Sequence, residues 1–260
     1  MHLHRFILNL DLTADQLTIT DRETTNQIRN VFRMDAGDRF VVCDGKGSEA
    51  TVQITALDGT KVPRNAGFTG TLVPSRNGVV VDVLDRREVM TESSFRTVLY
   101  CAMLKRENFE LVVQKATECG VAEIVPIVTA RTVKLGLKID RLQKIAKEAA
   151  EQSGRGIVSI VTEPLSFKEG IIHAKQNNTN ILFDLGGSAF TGTLVPSRPD
   201  ATKVAMNLGL FVGPEGGWTD DEVEQMRTTG YHVASLGPRI LRAETAAIVA
   251  VFLATTNSQL

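Results

Sequence analysis

The feature that most narrows the fold is a change of rhythm near Phe95, after which short apolar runs alternate with longer amphipathic stretches. "RTVLYCAML" (Arg96 to Leu104) and "EIVPIV" (Glu123 to Val128) read as strands, and between them Phe109, Val112, Val113, Ala116 and Cys119 recur at the spacing of one helical face. A strand, a helix and a strand joined by short links form a parallel crossover unit. The pattern continues through a helix around Leu142, Ile145 and Ala149, the strands "NILFD" and "LGLFVG", a helix from Thr219 and a last helix from about Ala243 to Thr255. The expected fold class is α/β, a parallel sheet covered by helices on both faces.

Before Arg87 the pattern is different. "RFILNL" reads as a strand, "DRETTNQIRNVFRM" places Ile28, Val31 and Phe32 at helical spacing, and "DRFVVCDGKGSEATVQITAL" reads as two strands around the turn pair Asp44 and Gly45. "NGVVVDVLDRREV" adds another strand, so this part is expected to be a small, mostly antiparallel barrel or sandwich. The expected domains are residues 1–88 and 89–260. One oddity is that "FTGTLVPSR" occurs twice, at Phe68 to Arg76 and at Phe190 to Arg198, with unrelated flanks. That excludes a solenoid period and suggests loops or strand edges.

A formal net charge of −1 excludes a globally basic nucleic-acid coat, so any RNA or DNA surface must be local. The richest candidate is Arg131 to Arg155, where Arg131, Lys134, Lys138, Arg141, Lys144, Lys147 and Arg155 outnumber Asp140, Glu148 and Glu151. A solvated helix face is the ordinary explanation, and contact with a phosphate backbone is the functional one. Cys43, Cys101 and Cys119 are odd in number and widely spaced, which argues against a disulfide framework or a zinc site and for a reducing cytoplasm. "MHLHRFILNL" is too short and too interrupted for a signal peptide, and no apolar run approaches the roughly 18 residues of a membrane span.

Two bends could carry chemistry. In "FVGPEGGWTDDEVE", Gly213, Pro214, Gly216 and Gly217 turn the chain sharply after an apolar strand, and Thr219 with Glu222 has the spacing of a capping box. Such a loop is either simple punctuation or a binding loop that ends on a helix N-terminus. It is no P-loop, since no Lys-Ser or Lys-Thr follows, and it lacks the G-x-G-x-x-G order of a dinucleotide fold. In "SLGPRILRAETAAIVAVF", Arg239, Arg242 and Glu244 crowd the entrance of an apolar helix, either as a structural Arg242–Glu244 pair or as one side of a pocket. Both bends follow strands, and in an open α/β sheet ligands sit where such bends gather. His173 and His232 stand singly in apolar surroundings, and Trp218 reads as a packing anchor beside the first bend.

These two bends, with "AAEQSGR" and "LVVQKATECGV" upstream, resemble the ribosomal RNA small subunit methyltransferase E family of the SPOUT superfamily; "HRFIL" and "IRNVFRMDAGDRFVVCDGKG" resemble that family's PUA-like RNA-binding domain. The resemblance implies a C-terminal SPOUT domain with a deep trefoil knot behind a PUA-like β-barrel. It also implies a homodimer through the knot region and S-adenosylmethionine as cofactor, with no metal. The cofactor would be lined by Leu208, Phe211, Val212, Gly213, Pro214, Glu215, Gly216 and Gly217, by Leu236 and Gly237, and by Ile240, Leu241, Arg242, Thr245 and Ala246. The implied reaction is methylation of N3 of a uridine in small-subunit ribosomal RNA, free or in the assembled 30S subunit. Arg242 would carry charge, and Glu215 or Glu244 would be candidates for the base. Arg5, Arg29, Arg33, Lys144, Lys147, Gln152 and Arg155 would contact RNA. Other readings are a SPOUT enzyme acting on a different ribosomal or transfer RNA position, a non-catalytic RNA-binding protein, and a nucleotide-binding enzyme.

Overall fold

The computed structural model describes residues 3–57, 78–89, 91–93, 95–132, 136–190 and 206–256. The chain parts into two units, Met1–Met90 and Thr91–Leu260. Apart from Phe190, both copies of "FTGTLVPSR" lie outside the described residues.

The N-terminal unit holds strands β1 (Arg5–Ile7), β2 (Gln16–Ile19), β3 (Arg39–Cys43), β4 (Ser48–Leu57) and β5 (Val79–Glu88), in the order β1-β3-β4-β5-β2. β1 runs parallel to β3 and every other pairing is antiparallel. All five strands send side chains into one core, including Phe6, Leu17, Phe40, Val52 and Val81, so the sheet must curl around them. Register shifts between β4 and β5 after Thr51 and Ile54 add the local bend that curling requires. The β3–β4 hairpin is fixed by Asp44, whose carboxylate accepts the amides of Lys46 and Ser48 at 2.7 and 3.0 Å.

The helical segment of this unit differs from the regular helix its spacing predicts. Helix α1 (Arg22–Asn26), capped by Asp21, runs straight into a π turn over Gln27–Val31, in which the amide of Phe32 reaches back to the carbonyl of Gln27 at 2.9 Å. The wider turn rotates the following residues off the stripe. Ile28 is buried, whereas Val31 and Phe32 are exposed.

The C-terminal unit is built on an all-parallel sheet. Its strands are β6 (Phe95–Ala102), β7 (Glu123–Val128), β8 (Ile160–Val161), β9 (Leu165–Ser166), β10 (Thr179–Ala189), β11 (Met206–Val212) and β12 (His232–Ser235), in the order β12-β10-β11-β6-β7-β8 with β9 also on β7. On one face α2 (Arg106–Glu118), α3 (Ile139–Ser153) and α6 (Ala243–Thr256) cover Leu99, Leu208, Leu210 and Val212. On the other, α4 (Phe167–His173) and α5 (Asp220–Thr228) cover Val98, Tyr100, Val125 and Phe211. Both faces of β6 and β11 are therefore apolar, and their sequences read as continuous hydrophobic runs. On α2, Phe109, Val112, Val113 and Ala116 are all buried, and a side chain such as Phe109 contributes about 1.5–3 kcal/mol through burial alone. No helix among the described residues is long and apolar enough to cross a membrane.

Candidate active site

The carboxyl ends of β6, β10, β11 and β12 converge on a cavity of about 790 Å³, within the range of small-molecule sites. The loop from Gly213 to Trp218 forms one wall, and the segment from Ser235 to the first turn of α6 forms another. Between Phe183 and Ser188 the β10–β12 register jumps, and Asp184 and Leu185 from that irregular stretch also line the cavity. Met103, Lys105 and Asn108, from the β6–α2 junction, complete the lining.

The first wall is held in place from three sides. Trp218 is buried with its ring nitrogen donating to the carbonyl of Phe183 at 3.0 Å, and a Cβ at Gly213 would sit 3.0 Å from the indole, so only glycine lets the chain pass the ring. Gly217 adopts φ +68° and returns its amide to the carbonyl of Pro214 at 2.9 Å, closing the turn. Arg131 Nη1 donates to the carbonyls of Gly216 and Trp218 at 2.8 and 3.1 Å. The capping box forms as its spacing predicts, with Thr219 Oγ1 accepting from Glu222 N at 3.2 Å and Glu222 Oε2 accepting from Thr219 N at 2.9 Å. The other oxygen of the buried Glu222 accepts the amide of Ala130 at 2.8 Å, tying the loop after β11 to the loop after β7.

The second wall brings the charges. Glu244, only 8% exposed, lines the cavity, and among the described residues it has no ion-pair partner. The Arg242–Glu244 pair that the sequence allowed is not formed. Arg239 and Arg242 are exposed at the same rim, and Arg242 serves α6 through its carbonyl, which accepts the amide of Ala246 at 2.8 Å. Burial pushes the Cys101 thiol far above its ordinary range, and the carboxylates of Glu215 and Glu244 push it the same way, so both act on the end of β6. A buried carboxylate without a protein cation suits a ligand that brings its own positive charge.

Of the sequence-predicted cofactor residues, Val212, Gly213, Pro214, Glu215, Gly216, Gly217, Leu236, Gly237, Ile240, Leu241, Arg242 and Ala246 line this cavity. Three do not. Leu208 lies in the core beneath α2 and α6, and Phe211 faces the opposite side of the sheet, stacked on Tyr100 with centroids 4.3 Å apart. Thr245 is exposed on α6 and does not line the cavity. Sequence reasoning missed Met103, Lys105 and Asn108, which follow β6 without a glycine or proline to mark the bend, and Asp184 and Leu185, which lie at the irregularity within β10; the position of β6 and β10 in a parallel sheet was the signal available.

The RNA candidates divide sharply. Arg155 is 4% exposed: Nη1 donates to the carbonyls of Thr117 and Val121 and to Ser159 Oγ at 3.0, 2.8 and 2.9 Å, and Nε and Nη2 bind Glu92. It is a structural clamp with no nitrogen left for a phosphate. Arg5 is mostly buried, ion-paired to Glu49 and donating to Cys43 Sγ at 2.9 Å. Within the basic run, Arg131 holds the loop, Arg141 is bidentate on Glu110 at 2.6 and 2.9 Å, and Lys147 lies 3.9 Å from Glu151, so these three are engaged within the protein. Gln152 lines a cleft between α2 and α3 with Glu107, Glu110, Glu118 and Glu148, an unfavourable place for a phosphate. Lys144 and Arg33 are exposed, and Arg29 Nη2 donates to the carbonyl of Gly78 at 3.1 Å. His173 is not in apolar surroundings: its Nδ1 is hydrogen-bonded to the Tyr100 hydroxyl at 2.8 Å and its Nε2 lies 3.8 Å from Glu123.

Residues 91–255 match the profile of an RNA methyltransferase domain, and residues 19–62 match that of an RNA methyltransferase PUA domain. The chain is 31% identical over 204 residues to ribosomal RNA small subunit methyltransferase E of Mesomycoplasma hyopneumoniae (strain 232), covering 76% of this chain and 85% of the relative. It is 28% identical to the protein of that name from Bacillus subtilis (strain 168), covering 96% of each. A crystal structure of a ribosomal RNA small subunit methyltransferase E from Neisseria gonorrhoeae bound to S-adenosyl methionine superposes with a TM-score of 0.78 at 25% identity, covering 98% of both chains. A putative methyltransferase from Legionella pneumophila, with bound cofactor SAM, superposes at 0.79 with 27% identity and the same coverage.

Proposed function

The chain belongs to the ribosomal RNA small subunit methyltransferase E family of RNA methyltransferases, and on that premise we infer that it methylates N3 of a uridine in small-subunit ribosomal RNA, with S-adenosylmethionine as methyl donor. The observation that carries this reading is the cavity at the carboxyl ends of β6, β10, β11 and β12, with the buried carboxylate of Glu244 on its wall and, among the described residues, no cation paired to it. A cofactor that joins a sulfonium and an ammonium to an adenosine fits both the charge and the size of that site.

S-adenosylmethionine, when bound, supplies a methyl group on a cationic sulfur. Gly213 to Gly217, Leu236, Gly237, Ile240 to Glu244 and Ala246 are the residues that would hold it, with Leu208 and Phe211 supporting the wall from behind. The protein's own task is to set the acceptor in line and to make it nucleophilic. N3 of uracil carries a proton whose loss spreads negative charge over two flanking carbonyl oxygens. Arg242, with Arg239 beside it, stabilises that charge, and Glu215 or Glu244 takes the proton.

Two further parts of the reading have support in the fold. β12 is an edge strand, yet α6, next in the chain, packs on α2 and against the central strands β6 and β11. The segment between them therefore crosses the sheet, in keeping with a trefoil knot. Ile240 is 84% exposed and Phe252 on the almost wholly apolar α6 is 53% exposed, which suits a homodimer through this region. The free thiols of Cys43, Cys101 and Cys119 accord with a reducing cytoplasm, where ribosomal RNA or the assembled 30S subunit is at hand.

Calorimetric titration with S-adenosylmethionine, with ATP as control and Arg242→Ala alongside, tests the reading. Binding of the first ligand only, followed by mass analysis that places a new methyl on N3 of a small-subunit uridine and finds none with Arg242→Ala, is the expected result. A folded protein that binds no S-adenosylmethionine refutes it, and a methyl at another position moves the activity to a different RNA site.

A further inference from the structure

The N-terminal unit carries an aromatic ladder that climbs out of its core. Phe40 and Phe6 meet edge to face at 5.3 Å, Phe6 meets Phe32 at 5.9 Å, and the ring of His4 lies over Phe32 with centroids 3.9 Å apart and planes inclined by 33°. The lower rungs are buried and the upper ones are open: Phe32 is 38% exposed, Val31 is 62% exposed, and His4 is exposed. The π turn is the cause, because its extra residue turns Val31 and Phe32 away from the stripe begun by Ile28. Arg33 follows at once with φ +51°, the left-handed region, and no other non-glycine residue among those described adopts it. Arg33 is exposed, and among the described residues it has no ion-pair partner.

An open aromatic ring and a strained arginine side by side are both unfavourable to the folded unit, and such costs concentrate where a ligand is met. We propose that His4, Phe32 and Arg33 form a stacking platform for one unpaired base of single-stranded RNA, with Arg33 engaging the adjoining phosphate. The proposal rests on the reading that this chain acts on ribosomal RNA, and it concerns a site in the other unit from the cofactor cavity. The flat faces of stacked aromatic rings accept any base, and a neighbouring cation supplies the backbone contact that such sites need. Val31, Phe32 and Leu84 are the exposed large apolar side chains among the described residues of this unit, too small an area for a stable protein interface. The matched PUA profile of residues 19–62 spans the ladder's outer rungs at Val31 to Arg33.

The test uses the full chain and a single-stranded RNA oligonucleotide carrying one 2-aminopurine, whose fluorescence is quenched on stacking. Phe32→Leu keeps the apolar contact with Phe6 and removes the π face; its thermal melt is measured first to establish that it folds. The expected result is quenching with the natural protein, and with Phe32→Leu loss of the quench and about tenfold weaker binding. Arg33→Gly relieves the left-handed backbone, so it is expected to melt higher while the slope of log affinity against log salt falls by about 0.7. A purely structural arginine would give the opposite stability change. Unchanged affinity and quench in Phe32→Leu overturn the proposal, as does a natural protein that binds no single-stranded RNA. A shift in the sedimentation of Phe32→Leu without RNA also overturns it, making the patch a contact between copies. S-adenosylmethionine affinity, measured on the same variants, is expected to be unchanged, so failure of the platform and failure of the cofactor reading give different results.

Discussion

The tie between the two loops predicts a specific cost for replacing Glu222 by glutamine. The carboxylate accepts two backbone amides, Ala130 N at 2.8 Å and Thr219 N at 2.9 Å, from two separate loops. A glutamine has one carbonyl oxygen, so it can keep one of these bonds, and its NH2 group faces the other donor. The loss is therefore one hydrogen bond to a charged acceptor plus an unmatched donor pair, about 2–3 kcal/mol. For a unit of this size that lowers the melting temperature by about 4–12 °C. The loop must then be ordered by the ligand, and S-adenosylmethionine affinity falls by about tenfold, or 1.4 kcal/mol. Differential scanning calorimetry with and without the cofactor, joined to isothermal titration, reads both numbers. Thr219→Ala is the control: it removes the helix cap, worth about 1 kcal/mol, and leaves the Ala130 contact in place. If Glu222→Gln melts within 1 °C of the natural protein, the carboxylate does not hold the loops together and the reasoning fails.

Arg155→Met takes from Glu92 its partner cation and from the carbonyls of Thr117 and Val121 one hydrogen bond each, so denaturant unfolding is expected to show a loss of about 3–5 kcal/mol, with the salt dependence of RNA binding unchanged. Gly213→Ala puts a methyl 3.0 Å from Trp218, the chain's single tryptophan; the expected loss is about 1–3 kcal/mol of stability, with a shift in tryptophan emission as the indole is displaced. Hydrogen bonds from Arg141, and then from Arg106, hold the Glu110 carboxyl at about 2. Because the folded value is the lower one, its stabilisation is present above the unfolded value and is lost as pH falls toward about 2. Glu110→Gln should flatten that part of a stability-against-pH curve, and an unchanged acid limb would refute the pairing.

Much of the fold was legible because local signals and the tertiary environment agree. "EIVPIV" becomes β7 residue for residue, since a parallel strand covered on both faces needs an unbroken apolar run. Thr219 and Glu222 form the capping box that their spacing announces, because that motif is complete within one turn. Where sequence reasoning failed, the deciding partner is remote or the periodicity is broken. Arg155 reads as one more cation in a basic run, and only Glu92, far back in the chain, and the carbonyls of Thr117 and Val121 reveal it as a clamp. Phe211 and Val212 are both apolar and adjacent, and which of them meets the cavity depends on which face of the sheet carries α6, a fact absent from the strand's own residues. The π turn at Gln27–Val31 shifts the phase of a helix without a glycine or proline to mark it.

The crossing segment that links edge strand β12 to α6 also has a consequence for the order of synthesis. β6 is made early in the C-terminal unit, but α6, which shares with α2 and α3 the covering of one face of the sheet, is made after every strand described in it. Until then, the nascent chain carries a sheet face that is only partly covered, with the α6 contacts on β6 and β11 open. Chains that stall or are cut before Ala243 will be sticky rather than merely inactive, and a chaperone that shields them must stay bound until α6 has emerged.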